Sequence, residues 1–121
     1  LIDLGRLSVI LAGAAGVSLG VLGLVFLRDP AAGLRLATHR AETLPEVMAN
    51  RYLAFAALAG LAVWYGDASV MAALFAVLAV MALHDAVLYA RSGHRWGRHA
   101  AAGVFSALVA GLVWVARGEG V

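Results

Sequence analysis

The chain contains no cysteine, no lysine, only two prolines and few charges of either sign. Without cysteine there are no disulfides, thiolate metal sites or cysteine nucleophiles. Without lysine, all nine basic residues are arginine, and against seven acidic residues they leave a net charge of only +2, so the high pI says little about partners. Charged residues make up 13% of the chain, about half the usual share of a soluble domain. No basic stripe with interleaved aromatics is present, which argues against nucleic-acid binding.

What remains is apolar. Of 121 residues, 64% are hydrophobic, and the mean hydropathy is +0.92. A chain of this length supplies one compact domain, 1–121, too small to hide that much apolar surface from water. A bilayer removes the need to hide it, so the lipid bilayer is the first partner implied. The predicted fold class is all-α: an integral membrane protein, an antiparallel up-down bundle of four transmembrane helices at about 7–27, 44–65, 68–90 and 97–116. Each run is near 20 residues and spans the roughly 30 Å hydrocarbon core at ~1.5 Å per residue. Helix is the only conformation that satisfies the backbone of such isolated runs in lipid.

The local signals agree. The first run holds no charge between Arg6 and Arg28 and continues well past the small-residue stretch Leu11-Ala12-Gly13-Ala14, so it reads as a span rather than a cleaved signal peptide. Thr43-Leu44-Pro45-Glu46 has the form of a capping box opening the second span. Gly66-Asp67 breaks the chain before the third, with Asp67 or Ser69 as its cap. The fourth opens at Trp96 or as late as His99. Between spans one and two, Pro30 to Ala37 predicts one or two turns of interfacial helix starting at Pro30.

Charge orients the bundle. The two loops on one side carry Arg28, Arg35, Arg40, Arg91, Arg95 and Arg98, whereas the other side has Arg6 and Arg117. The positive-inside rule places the basic loops in the cytoplasm and both termini outside. Trp64, Tyr65 and Trp114 would mark the outer interface and Trp96 the inner one. This topology signal accounts for the arginine excess more simply than an anion or lipid-headgroup site.

Small residues predict close helix packing. Gly13, Gly16, Gly20 and Gly23 form a stripe on span one that includes a GxxxG at Gly16 and Gly20, and Gly103, Ala107 and Gly111 step by four along span four. The Gly16/Gly20 stripe suits packing inside the bundle, or a membrane-protein partner or homo-oligomer. Met71, Leu74, Leu78, Met81 and Asp85 share one stripe of span three.

The intramembrane polar residues are the candidate site: Glu46, Asn50 and Arg51 on span two, His84 and Asp85 on span three, with His99 and Ser106 on one face of span four. Arg51 lies about 10 Å along the axis from the start of its span, and Asp85 about 9 Å from the end of the next. Antiparallel neighbours would bring the two to one level, where an ion pair relieves the cost of several kcal/mol of leaving either charge alone in lipid. One reading is a structural clamp. The other is a pocket for a lipophilic small molecule, with Glu46 or Asp85 as general base, His84 as acid/base partner and Arg51 stabilising negative charge. His84 and Asp85 are adjacent and diverge by about 100°, so they are not a dyad. No i,i+4 histidine pair supports a metal, and no cofactor is called for; haem ligation by His84 is a minor alternative.

Asn50-Arg51-Tyr52-Leu53-Ala54-Phe55, His84-Asp85-Ala86-Val87-Leu88 and His99-Ala100-Ala101-Ala102-Gly103 resemble the pattern of small four-helix bacterial membrane proteins of the DoxX-like, unknown-function kind. The resemblance covers nearly the whole chain and implies the bundle and the two polar positions, but no chemistry. The function classes left are an accessory or binding subunit of a larger membrane assembly, a small membrane enzyme of isomerase or cyclase type, and a transporter component. The last would need a carboxylate deeper than Asp85. With no complete catalytic constellation in view, the accessory subunit leads.

The arginine asymmetry makes a direct prediction. In intact cells, Gly120→Cys should react with a membrane-impermeant maleimide and Ser92→Cys should not; labelling of Ser92→Cys from outside would reverse the orientation.

Overall fold

The computed structural model describes residues 3–119. Every regular element among them is helical: α1 (Leu4–Arg28), α2 (Pro30–Leu36), a 3-10 turn (Ala41–Thr43), α3 (Leu44–Tyr65), α4 (Ala68–Arg91) and α5 (Gly97–Arg117). Four are long and apolar enough to cross a membrane: α1, α4, α5 and the continuous stretch Ala41–Tyr65. This is the make-up of a multi-pass membrane protein. The chain divides into two compact units, Leu1–Arg51 and Tyr52–Val121, with α3 running across the boundary.

In the N-terminal unit, Asp3 caps α1 by accepting from the Gly5 and Arg6 amides. Asp29 serves two helices at once. Its amide donates to the Val25 carbonyl at the end of α1, and its carboxylate accepts from Ala32 N at 3.0 Å to start α2. Pro30 occupies the first turn, where a missing N–H costs nothing. The sharp reversal lays α2 against the end of α1, and Gly33 is buried there because a methyl at its position would sit 2.5 Å from ring carbons of Phe26. A Schellman motif closes α2, with His39 N donating to Leu34 O and Thr38 N to Arg35 O. Thr38 fills its left-handed position at φ 57°, a conformation a β-branched residue rarely adopts.

The capping box does not form. The 3-10 turn runs straight into α3, so Thr43 is already helical, and its hydroxyl donates backward to Arg40 O at 2.9 Å. An N-cap needs an extended backbone to aim its oxygen at the next turn. Before α4 that geometry is present: Gly66 takes φ +73°, Asp67 is extended, and its carboxylate accepts from Val70 N at 3.1 Å.

In the C-terminal unit, α4 and α5 pack along their length as an antiparallel hairpin. Leu83 faces Gly103 near one end and Ser69 meets Arg117 at the other, equal steps of 14 residues in opposite directions. Ala72, Ala79 and Ala86, seven residues apart, are the buried positions of α4. A methyl on Gly103 would fall 2.6 Å from Leu83 Cγ and 3.1 Å from its backbone nitrogen, so the helices touch backbone to backbone. Met71, Leu74 and Leu78 are half-buried beside the alanines, but Met81 is exposed. On α5 the packed stripe is Gly103, Ser106, Ala110 and Val113, whereas Ala107 and Gly111 are exposed. Within this hairpin the contact with α4 therefore leaves the four-residue step after Gly103. Two successive four-residue steps turn 800°, drifting about 80° off the contact line; alternating three and four stays on it. α3 shares no comparable face with α4, although Ala62 near its end is buried.

The close approach predicts that Gly103→Leu unseats the hairpin, costing about 1–3 kcal/mol or the fold itself. Gly111→Ala, with nothing within 4 Å of its added methyl, should be neutral or slightly stabilising. Thermal midpoints of the two variants in one detergent distinguish them, and equal midpoints would contradict this packing.

Candidate functional site

The five candidate residues divide between the units. Glu46 stands in the first turn of α3, and Asn50 lies one turn further along the same face; both are exposed, as is Arg51 beside them. A carboxylate in the first turn of a helix is favourably placed toward the helix dipole, so Glu46 has a local electrostatic role whatever else it does. In the loop before α3, Arg40 and Glu42 form a 3.7 Å exposed ion pair. Such pairs contribute little to stability.

His84 and Asp85 belong to the C-terminal unit and diverge as the helical step requires. His84 is exposed, whereas Asp85 is half-buried on the face of α4 that carries Ala82 and Ala86. Among the described residues of its own unit, Asp85 has no hydrogen-bond or ion-pair partner. A half-buried carboxylate in an apolar helical hairpin is costly unless something satisfies it. That unmet demand is the main chemical feature of the hairpin. His99 and Ser106 lie on the facing stripe of α5, both half-buried, two turns apart.

The structure adds a group that the sequence pattern does not signal. A Schellman motif ends α4, with Gly93 at φ +74°, Gly93 N donating to Ala90 O and His94 N to Tyr89 O. The turn folds His94 back toward Tyr89, ring centroids 6.1 Å apart, while the antiparallel partner helix brings His99 to 4.4 Å from the same ring. Tyr89 thus sits between two histidines, one from the turn and one from α5. Nothing in periodicity marks Tyr89, because the contact depends on the rotation of α5 about its axis. At the opposite end of the hairpin, Arg117 donates to Ser69 Oγ at 3.1 Å and lies 3.5 Å over the Trp114 ring. Among the described residues, no cluster of three or more histidine or carboxylate side chains is arranged to hold a metal ion.

No family model, curated protein or solved structure matches the sequence.

The Tyr89 contacts predict that Tyr89→Ala loosens the turn end of the hairpin by about 0.5–1.5 kcal/mol beyond the lost apolar area, and Tyr89→Phe by much less. Hydrogen exchange at the hydrogen-bonded amides from Ala100 into the second turn of α5 measures this: faster exchange in the alanine variant alone is expected, and unchanged exchange in both would contradict the aromatic contact.

Proposed function

We propose that the protein is an accessory or binding subunit of a larger membrane assembly, a four-span bundle with both termini outside and the loops 28–40 and 91–98 in the cytoplasm. The observation that carries the reading is α1. It is 25 residues long with no buried residue, and Gly13, Gly16, Gly20 and Gly23 along it have nothing within 4 Å of a side-chain position in their own unit. Lipid tails are as apolar as leucine, so membrane helices associate by close packing, and small residues are what permits it. A stripe of four glycines otherwise only lowers helix propensity, by roughly 1 kcal/mol at each position. The occupant is another helix, whether of this bundle, of another subunit or of a second copy. Trp96 and Trp114 support the membrane placement: one caps the start of α5 and the other lies in its last turn, 18 residues apart in sequence, or about 27 Å, close to the thickness of the hydrocarbon core.

Within the bundle, Arg51 answers the unmet charge of Asp85 and fixes the register of spans two and three. The alternative is a small membrane enzyme, isomerase or cyclase, acting on a lipophilic substrate, with Asp85 or Glu46 as base, His84 as acid/base partner, Arg51 holding negative charge, and Asn50 nearby. The half-buried, unpartnered Asp85 is the observation in its favour.

Two comparisons test these readings. Gly20→Leu should release a partner, or a second copy, from protein extracted in mild detergent; unchanged composition and unchanged thermal midpoint would turn that stripe to lipid and end the subunit reading. Arg51→Leu alone should destabilise the bundle more than Arg51→Leu with Asp85→Leu, by about 3 kcal/mol, because the single change strands a carboxylate. A stable double variant that has lost a bound small molecule or a cellular activity would favour the enzyme.

A further inference from the structure

The turn between α4 and α5 combines features that the topology signal does not require. Arg91, Arg95 and Arg98 fall within eight positions, all exposed, and no acidic residue occurs between Asp85 and Glu119. Elsewhere Arg6 pairs with Asp3, Arg40 with Glu42, and Arg117 with Ser69 and Trp114. The arginines of this turn, like Arg28, Arg35 and Arg51, have no such partner among the described residues. Gly93 in the left-handed region swings the chain off the end of α4, and the segment that follows encloses an open hollow of about 790 Å³ lined by His94, Arg95, Trp96, Arg98 and His99. Every side chain with a polar atom in that lining is a hydrogen-bond donor or capable of being one, and none is anionic.

A second hollow adjoins it. Trp96 also borders a groove of about 300 Å³ that continues down the hairpin between Leu83, Ala86, Val87, Ala90 and Ala100, with no charged or polar side chain in it. A cationic, donor-lined head region thus shares Trp96 with an apolar channel running along the helices. Trp96 is itself half-exposed, with an apolar body and one N–H, the amphipathic residue type of a membrane–water boundary.

We propose that this turn binds an anionic glycerophospholipid, its phosphodiester held by Arg95 and Arg98 in the hollow and an acyl chain lying in the groove below Trp96. The guanidinium fork suits two phosphate oxygens at once. A zwitterionic lipid presents the same phosphate with its own cation attached, which is repelled by the arginines and finds no carboxylate in the turn to receive it. The apolar groove fits an acyl chain and gives a free phosphate nothing. The inference rests on the membrane-spanning reading above, and it concerns the turn rather than the α1 stripe or the Arg51–Asp85 pair.

Trp96 provides the probe. In the full chain carrying Trp64→Phe and Trp114→Phe it is the single indole of the three. Reconstituted into phosphatidylcholine vesicles with increasing acyl-brominated phosphatidylglycerol or acyl-brominated phosphatidylcholine, it should be quenched at a severalfold lower mole fraction of the phosphatidylglycerol. Arg95→Gln should weaken that preference about fivefold, and Arg95→Gln with Arg98→Gln should erase it. Arg28→Gln with Arg35→Gln, in the other basic loop, should leave it in place. Should the double change at the turn fail to fold, Arg95→Gln alone carries the comparison. Equal quenching by the two lipids, or a preference that outlasts the Arg95 and Arg98 changes, overturns the proposal. Inorganic phosphate that abolishes the preference at constant ionic strength also overturns it, leaving a free-anion site. Quenching by neither lipid would sink the membrane-spanning reading itself, which separates that failure from this one.

Discussion

Hydrocarbon offers a peptide group nothing to bond to, and four helices long and apolar enough to cross a membrane are what that constraint selects. An unpaired amide or carbonyl in the bilayer costs several kcal/mol, so each apolar run closes its own hydrogen bonds as a helix and every irregular residue is pushed to a turn. The turns then carry the burden of the helix ends. Asp3, Asp29 and Asp67 satisfy amides at three helix starts, and left-handed residues at Thr38 and Gly93 return carbonyls to the chain at two helix ends. Three of the seven acids and the glycines at 66 and 93 thus sit where the backbone needs them.

Helix–helix association in such a setting rests on proximity more than on apolar burial. The α4–α5 hairpin illustrates it. Its buried positions are alanines and one glycine, residues with almost no side chain to withdraw from water, and its tightest point is Gly103 against Leu83. Dispersion over two closely apposed backbones replaces the large-side-chain core of a soluble bundle. Many of the large apolar side chains point away instead; Val77, Val80, Val104, Phe105, Leu108 and Leu112 are all exposed, as a lipid-facing surface would be. The same logic gives the glycines of α1 their meaning in the proposed assembly.

Polar chemistry is correspondingly sparse and sits near the helix ends. Asp85 is the group whose surroundings leave it least satisfied within its unit, and both proposed roles, clamp and base, follow from that. The α4–α5 turn collects donors without acceptors: Arg95, Arg98, His94 and His99 around Trp96, with Tyr89 between the two histidines. One region asks for a cation and the other for an anion, and neither need is met from its own neighbours.

Much of this was legible in the residues alone. Run length and the absence of charge determined four helices, and the limits of the second, 44–65, coincide with α3. Turn chemistry determined the short helix after Pro30 and the Asp67 cap. These are properties of one segment and its backbone, which local sequence controls. Rotation of a helix about its axis is not such a property. In a soluble protein the polar face marks it, but these helices are apolar on nearly every side, and the pattern does not tell their faces apart. Only the tertiary structure therefore decided that α5 packs through Gly103, Ser106, Ala110 and Val113 rather than Gly103, Ala107 and Gly111, that Gly33 lies against Phe26, and that Tyr89 meets His94 and His99. The failed cap at Thr43 has the same origin on a smaller scale: the residue suits an N-cap, but the preceding 3-10 turn had already wound it into the helix.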